Sequence, residues 1–73
     1  MKENKLKGKR VALGLTQSDC AKMIEKSTDS YAKKERGEFL FTLAEIAELT
    51  KGMKLSFEEF NDIFFGSQLQ FSN

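Results

Sequence analysis

The chain contains no proline, no tryptophan and no histidine, and it has one cysteine, Cys20. A lone cysteine excludes an internal disulfide framework and any multi-cysteine zinc site. Without histidine a metal would have to be held mainly by carboxylates, and no acidic cluster has the spacing for it. Cys20 reads as a small core hydrophobe rather than a reactive thiol, and no carboxylate pair has a pocket around it. The expectation is therefore a protein that is not an enzyme, with no cofactor, no metal and no catalytic residue. No apolar run reaches membrane-spanning length, and the N-terminus lacks the apolar segment of a signal peptide. A soluble, reducing, cytoplasmic setting is expected, with no membrane contact.

What is present fits one domain with one small core, because 73 residues support no more. The net charge of +1 hides an asymmetry. Residues 1–37 hold ten Lys/Arg against five Asp/Glu, a balance of +5, while residues 38–73 hold two against six, a balance of −4. A solvated helical surface is the plain explanation of such a run. The segregation also suits an anionic partner on one side, since phosphate neutralisation drives most non-specific DNA affinity.

Helix starts are well marked. Thr16 is followed three residues on by Asp19, Thr42 by Glu45 and Ser56 by Glu59. Each pair has the spacing of a capping box, in which the hydroxyl accepts from the third residue's amide and the acid reaches back. Apolar pairs bracket each cap at staple spacing: Leu15 with Cys20, Phe41 with Ile46, Leu55 with Phe60. Ser27 is a fourth cap candidate, without the acid. Glycines mark the stops. Five helices are predicted: about Glu3 to Leu13 (stop at Gly14), Gln17 to Ile24, Thr28 to Glu35 (Gly37), Leu43 to Lys51 (Gly52), and Phe57 to about Phe64 (Gly66). The fold class is all-α, a compact five-helix domain over residues 1–66 with a C-terminal tail at 67–73.

The expected core follows from helical spacing: Leu6, Leu13, Leu15, Cys20, Ala21, Ile24, Tyr31, Leu43, Ile46, Ala47, Leu55, Phe60, Ile63 and Phe64. Met23 and Met53 read as packing residues. Ala21 is small enough to let the third helix cross the second closely.

Leu13 to Glu38 is the most informative stretch. It reads as two short helices joined by a tight turn, the second presenting small polar and basic side chains outward. That is the plan of a helix-turn-helix, which sets one helix into the DNA major groove. On Lys9-Arg10, the runs GLTQSDCAKMI and STDSYAKKERGE, and SFEEFNDIFF, the chain resembles the phage repressor and Cro helix-turn-helix family, also called the xenobiotic-response-element family. The resemblance covers about Leu6 to Phe64 and implies a lambda-repressor-like fold with the helix-turn-helix at helices 2 and 3. It implies that Gln17 bonds a phosphate and buttresses the recognition helix, and that Ser27 caps that helix and touches the DNA backbone. Thr28, Asp29 and Lys33 would meet base edges. Arg36 and the amide of Gly37 would reach phosphate. Arg10 and Glu35 would form a structural ion pair tying the first helix to the end of the third.

The chemistry of these side chains gives a reading of its own. Lys33 can donate to guanine O6 and N7, Thr28 offers a methyl or a hydroxyl, and Asp29 can accept from cytosine N4. Lys33 could equally be a solvated lysine, and Gln17 a plain surface residue. For Asp29 two readings stand side by side, because an acid in a helix's first turn also complements the dipole without touching DNA.

Three positions depart from the family pattern. Glu25 stands where the turn usually carries a left-handed glycine, so the turn is expected to be strained or differently shaped. Lys34 stands where an apolar residue usually faces the core; its stem is expected along apolar surface with the ammonium outside, adding a phosphate contact. The loop Glu38–Phe41 has no basic residue for the minor groove. In the tail, Leu69 and Phe71 alternate with glutamines. With Phe65 they are expected as a dimer contact, the alternative being a loose terminus folded on its own core. The functional expectation is a small transcriptional regulator, repressor or Cro-like, that binds an inverted-repeat operator in double-stranded DNA as a homodimer and takes no small-molecule ligand. The alternative is a protein-interaction module (an antitoxin, antirepressor or partner-binding subunit) acting through helices 4 and 5 and the aromatic tail.

Overall fold

A computed structural model of the chain describes residues 4–66. Within them the fold is all-helical: α1 (Lys5–Ala12), α2 (Gln17–Met23), α3 (Thr28–Glu35), α4 (Leu43–Gly52) and α5 (Phe57–Phe65). Thr16, Thr42 and Ser56 each cap their helix in a complete capping box with Asp19, Glu45 and Glu59, and Ser27 caps α3 through the amide of Ser30. α1 begins later than the sequence suggested because Asn4 is its cap, accepting from the amide of Lys7 at 2.9 Å.

Three of the four connections are one four-residue joint used three times: Leu13 to Thr16, Ile24 to Ser27 and Met53 to Ser56. In each, the second residue is left-handed and the second and third amides donate back into the helix just ended. Gly14 donates to the Val11 carbonyl and Leu15 to that of Arg10; Glu25 to Lys22 and Lys26 to Ala21; Lys54 to Lys51 and Leu55 to Thr50. This paired closure satisfies carbonyls a helix end otherwise leaves without partners. The left-handed position is held by Gly14 once (φ 75°), but by Glu25 (φ 58°) and Lys54 (φ 56°) in the other joints. Glu25 thus keeps the turn's shape and bears the strain of a Cβ there, about 1–2 kcal/mol. Gly52 is not the stop expected of it. It lies within α4, and a Cβ on it would stand 2.6 Å from the Met23 sulfur, so this glycine lets α4 approach α2.

The core gathers Leu6, Cys20, Ala21, Ile24, Tyr31, Leu49, Met53 and Ile63, with Leu15, Met23, Phe41, Leu55 and Phe64 packed against it. Three expected members are outside: Leu13, Leu43 and Ala47 are exposed. Leu13 falls on the C-cap of α1, where the chain is already turning away. Leu43 and Ala47 lie opposite the face of α4 that points inward, which carries Glu45, Leu49 and Met53. The sequence reading favoured the aliphatic pair and passed over Leu49, which is fully buried. The inward turn of Glu45 has a partner: the Lys34 ammonium sits 2.6 and 2.7 Å from its two carboxylate oxygens. An aromatic line continues the core outward, from Tyr31 to Phe41 at 6.0 Å and Phe41 to Phe64 at 5.9 Å, then through Phe60 to Phe65 at 5.4 Å. α1 lies against α5, where Lys5 pairs with Asp62 and Lys9 with Glu59.

Candidate nucleic-acid interface

Glu35, at the last turn of α3, is 1% exposed and is the centre of the site. Arg10 of α1 donates to it twice, Nε to Oε2 at 2.8 Å and Nη2 to Oε1 at 3.3 Å. Tyr31 donates its hydroxyl to Oε2 at 2.8 Å, and Gln17 of α2 donates Nε2 to Oε1 at 3.0 Å. The remaining Arg10 nitrogen, Nη1, donates to the Leu15 carbonyl at 2.9 Å, and the Asn4 amide donates to the Glu35 carbonyl at 2.9 Å. One carboxylate therefore fixes three helices and a joint. Burial pushes the Glu35 carboxyl up, but the bonds from Arg10, Gln17 and Tyr31 outweigh it and hold the group below the ordinary carboxylate range. The Glu35 contact holds Arg10 firmly cationic. Burial, then the Glu35 contact, pushes the Tyr31 phenol far up. Burial raises the Cys20 thiol as well, which keeps it protonated and inert.

The pairing of Arg10 with Glu35 is thus present. Gln17 buttresses α3 as the resemblance implied, by turning its amide nitrogen inward to Glu35. Tyr31 was read only as core; its spacing of four from Glu35 on one helix was the signal for a shared contact.

The outer face of α3 carries Ser27, Thr28, Asp29, Arg36 and Gly37, all exposed, with Lys33 half-buried. Its charges are largely matched. Lys33 lies 3.2 Å from Asp29, one turn apart, and Arg36 lies 2.7 Å from Glu38. Asp29 therefore stands in the first turn as a dipole complement and an ion-pair partner at once. Lys34 differs from its expectation. Its side chain is 12% exposed and its ammonium is turned to Glu45 rather than outside, 6.0 Å from the Phe41 ring centroid. That leaves it inside the fold and not at the surface a phosphate would meet. The cause is Glu45, which burial pushes up but which the Lys34 ammonium and the Thr42 amide hold below the ordinary range.

Of the basic half, Lys7, Lys22 and Lys26 make no ion pair among the described residues. Lys26 is exposed and immediately precedes the cap of α3. Sequence reading gave it no role, although its place beside Ser27 was visible. Of the expected dimer contacts, Phe65 is half-buried against Phe60 of its own chain. Leu69 and Phe71 lie outside the described residues. Among those residues, no helix is long and apolar enough to cross a membrane. No protein-family model, curated protein or solved structure matches this chain.

Proposed function

We propose that the chain binds double-stranded DNA in a sequence-dependent way, with α2 and α3 acting as a helix-turn-helix of the phage repressor and Cro type. The observation that carries this is the Glu35 cluster. It spends a buried carboxylate, an arginine, a tyrosine hydroxyl and a glutamine amide on holding α3 rigidly to α1 and α2. The outer side of α3 is left to small polar and basic groups. Preorganised placement of a short helix is what base reading needs, because a misplaced donor loses its bidentate geometry.

In this reading Thr28 and Lys33 meet base edges, with Asp29 releasing Lys33 when DNA arrives. Gln17, Ser27 and Arg36 meet phosphates, whereas the Gly37 amide, expected there too, already donates to the Lys34 carbonyl at 3.0 Å and leaves the set. Lys26 replaces Lys34 in the phosphate set. The protein acts in the cytoplasm as a small regulator occupying an inverted repeat as a homodimer. Selection from random duplex DNA at near-physiological salt tests it. Enrichment of an inverted repeat with half-sites one turn apart is expected; recovery of no sequence by folded protein would reject it. The second reading, a protein-interaction module, is favoured by the exposed apolar residues Leu43 and Phe57 on α4 and α5.

A further inference from the structure

The outward side of α4 carries Leu43, Ala44 and Ala47, bordered by Glu48 and Lys51, and exposed apolar residues flank it before the helix and at the start of α5. Leu40 is 88% exposed, Leu43 80% and Phe57 70%, and Ala47 is exposed between them. At 100° per residue, Leu43, Ala47 and Lys51 follow one line down the helix, each one turn from the next. The two ends of that line differ in shape. At the N-terminal end Leu40 and Leu43 project as knobs. At the C-terminal end lies a groove of about 530 Å³, lined by Ala47, Thr50, Lys51, Leu55, Phe57 and Phe60 among others.

A knob one turn before Ala47 and a groove one turn after it are complementary to each other under a two-fold axis through Ala47. A second α4 laid antiparallel sets each copy's Leu43 over the other copy's groove. That is the isologous, self-closing arrangement of a symmetric dimer. The charges agree with this direction. Lys51 and Lys54 flank the groove and make no ion pair among the described residues. Antiparallel, each Lys51 faces the partner's Leu43, its stem covering the leucine and its ammonium at the rim. Parallel pairing would instead set lysine against lysine. Leu40, Leu43 and Phe57 leave on the order of 400 Å² of apolar surface per copy in water, toward the upper end of what a monomer usually exposes in one patch. Covering it from both copies gives an interface at the low end of specific complexes, roughly 1,000 Å² in total.

We propose that the partner of the α4 face is a second copy of this chain, docked antiparallel with its two-fold axis at Ala47. The surface is made of described residues alone and uses none of residues 67–73. This docking gives a surface to the homodimer of the proposed function, but the test contains no DNA, so the α4 interface can fail while sequence-dependent DNA binding stands.

Sedimentation equilibrium of the full chain from roughly 5 to 500 µM is the first measurement, spanning the micromolar range in which interfaces of this size associate. A reversible monomer–dimer equilibrium is expected. Ala47→Arg places like charges on the axis and should leave only monomer, with unchanged far-UV circular dichroism because Ala47 is exposed. Ala47→Cys should give a covalent dimer on mild oxidation with diamide, since residues on a two-fold axis meet their own copies. The native Cys20, fully buried, should give none. The Leu69→Ser/Phe71→Ser double variant should remain dimeric. A wild type monomeric throughout, a dimer that survives Ala47→Arg, or one lost in the tail variant overturns the assignment.

Discussion

The outer faces of α3 and α4 differ in kind, although both helices are fixed to the fold by a buried carboxylate. Glu35 receives hydrogen bonds from three side chains on three helices, and the face beyond it is polar and nearly neutral. Glu45 receives one ammonium and one capping amide, and the face beyond it carries Leu43, Ala44 and Ala47. Burying an acid stabilises little by itself, since desolvation offsets most of the attraction. What both acids supply is orientation. Each decides which side of its helix is left outside, and the chemistry of that side then follows from residues the core never uses.

The sharpest way to break the contrast is to remove the better-connected acid. Glu35→Ala leaves Arg10 buried without a counter-charge and should cost about 3–5 kcal/mol. That is comparable with the whole stability of so small a domain, so most of the protein should be unfolded at 25 °C by circular dichroism. Acid should act on both clusters together. The folded-state carboxyls of Glu35 and Glu45 lie below their ordinary value of 4.5, so the unfolded chain takes up protons first. Their contribution is whole above 4.5 and drains as the pH falls through it toward the folded values. Urea midpoints should therefore be level between pH 7 and about 5.5 and drop below about 4.5. Glu35→Gln should flatten that drop.

Lys34→Met keeps the stem and strands Glu45. A cost of about 2 kcal/mol in urea unfolding is expected, less than for Glu35 because fewer groups depend on it. Lys33→Ala should leave unfolding within about 0.5 kcal/mol of the parent. On the selected operator it should weaken binding about tenfold and relax preference at one base pair. Equal loss on every sequence would make Lys33 a phosphate contact instead. The smallest change is a gain: Glu25→Gly relieves the left-handed strain and should stabilise by about 1 kcal/mol in the same assay.

The helices were legible because their signals are local. A hydroxyl and an acid three residues apart at Thr16, Thr42 and Ser56 act within one turn, and nothing distant overrides them. The pairing of Arg10 with Glu35 came from resemblance, and the structure adds why it holds: Tyr31 and Gln17 fill the remaining acceptor sites. What could not be read was rotation. Whether α4 turns Leu43 or Leu49 inward depends on Lys34, nine residues before Leu43 and on another helix, and on the contact of Gly52 with Met23. Hydrophobic periodicity set Leu43, Ile46 and Ala47 inward, whereas the inward face carries Glu45, Leu49 and Met53, with Glu45 matched by the distant Lys34. Gly14, Gly37 and Gly66 do mark helix ends, and the one stop that was displaced, Gly52, was misread for a related reason. A glycine near a helix end suggests termination, yet Gly52 serves packing, while a glutamate and a lysine hold the left-handed positions because the paired hydrogen bonds of the joint outweigh the strain.

The repeated joint also decides where the chain can be cut. A protease must draw several residues into an extended, unbonded form. In the three four-residue joints, consecutive amides are tied back into the preceding helix, and the next residue is already a cap. Among the connections between the described helices, the stretch between Glu38 and Thr42 alone lacks such ties, and it displays Phe39 and Leu40 to solvent. Within the described residues, a chymotrypsin-like enzyme thus has one accessible address, and cleavage there separates the half that carries α3's outer face from the half that carries α4's.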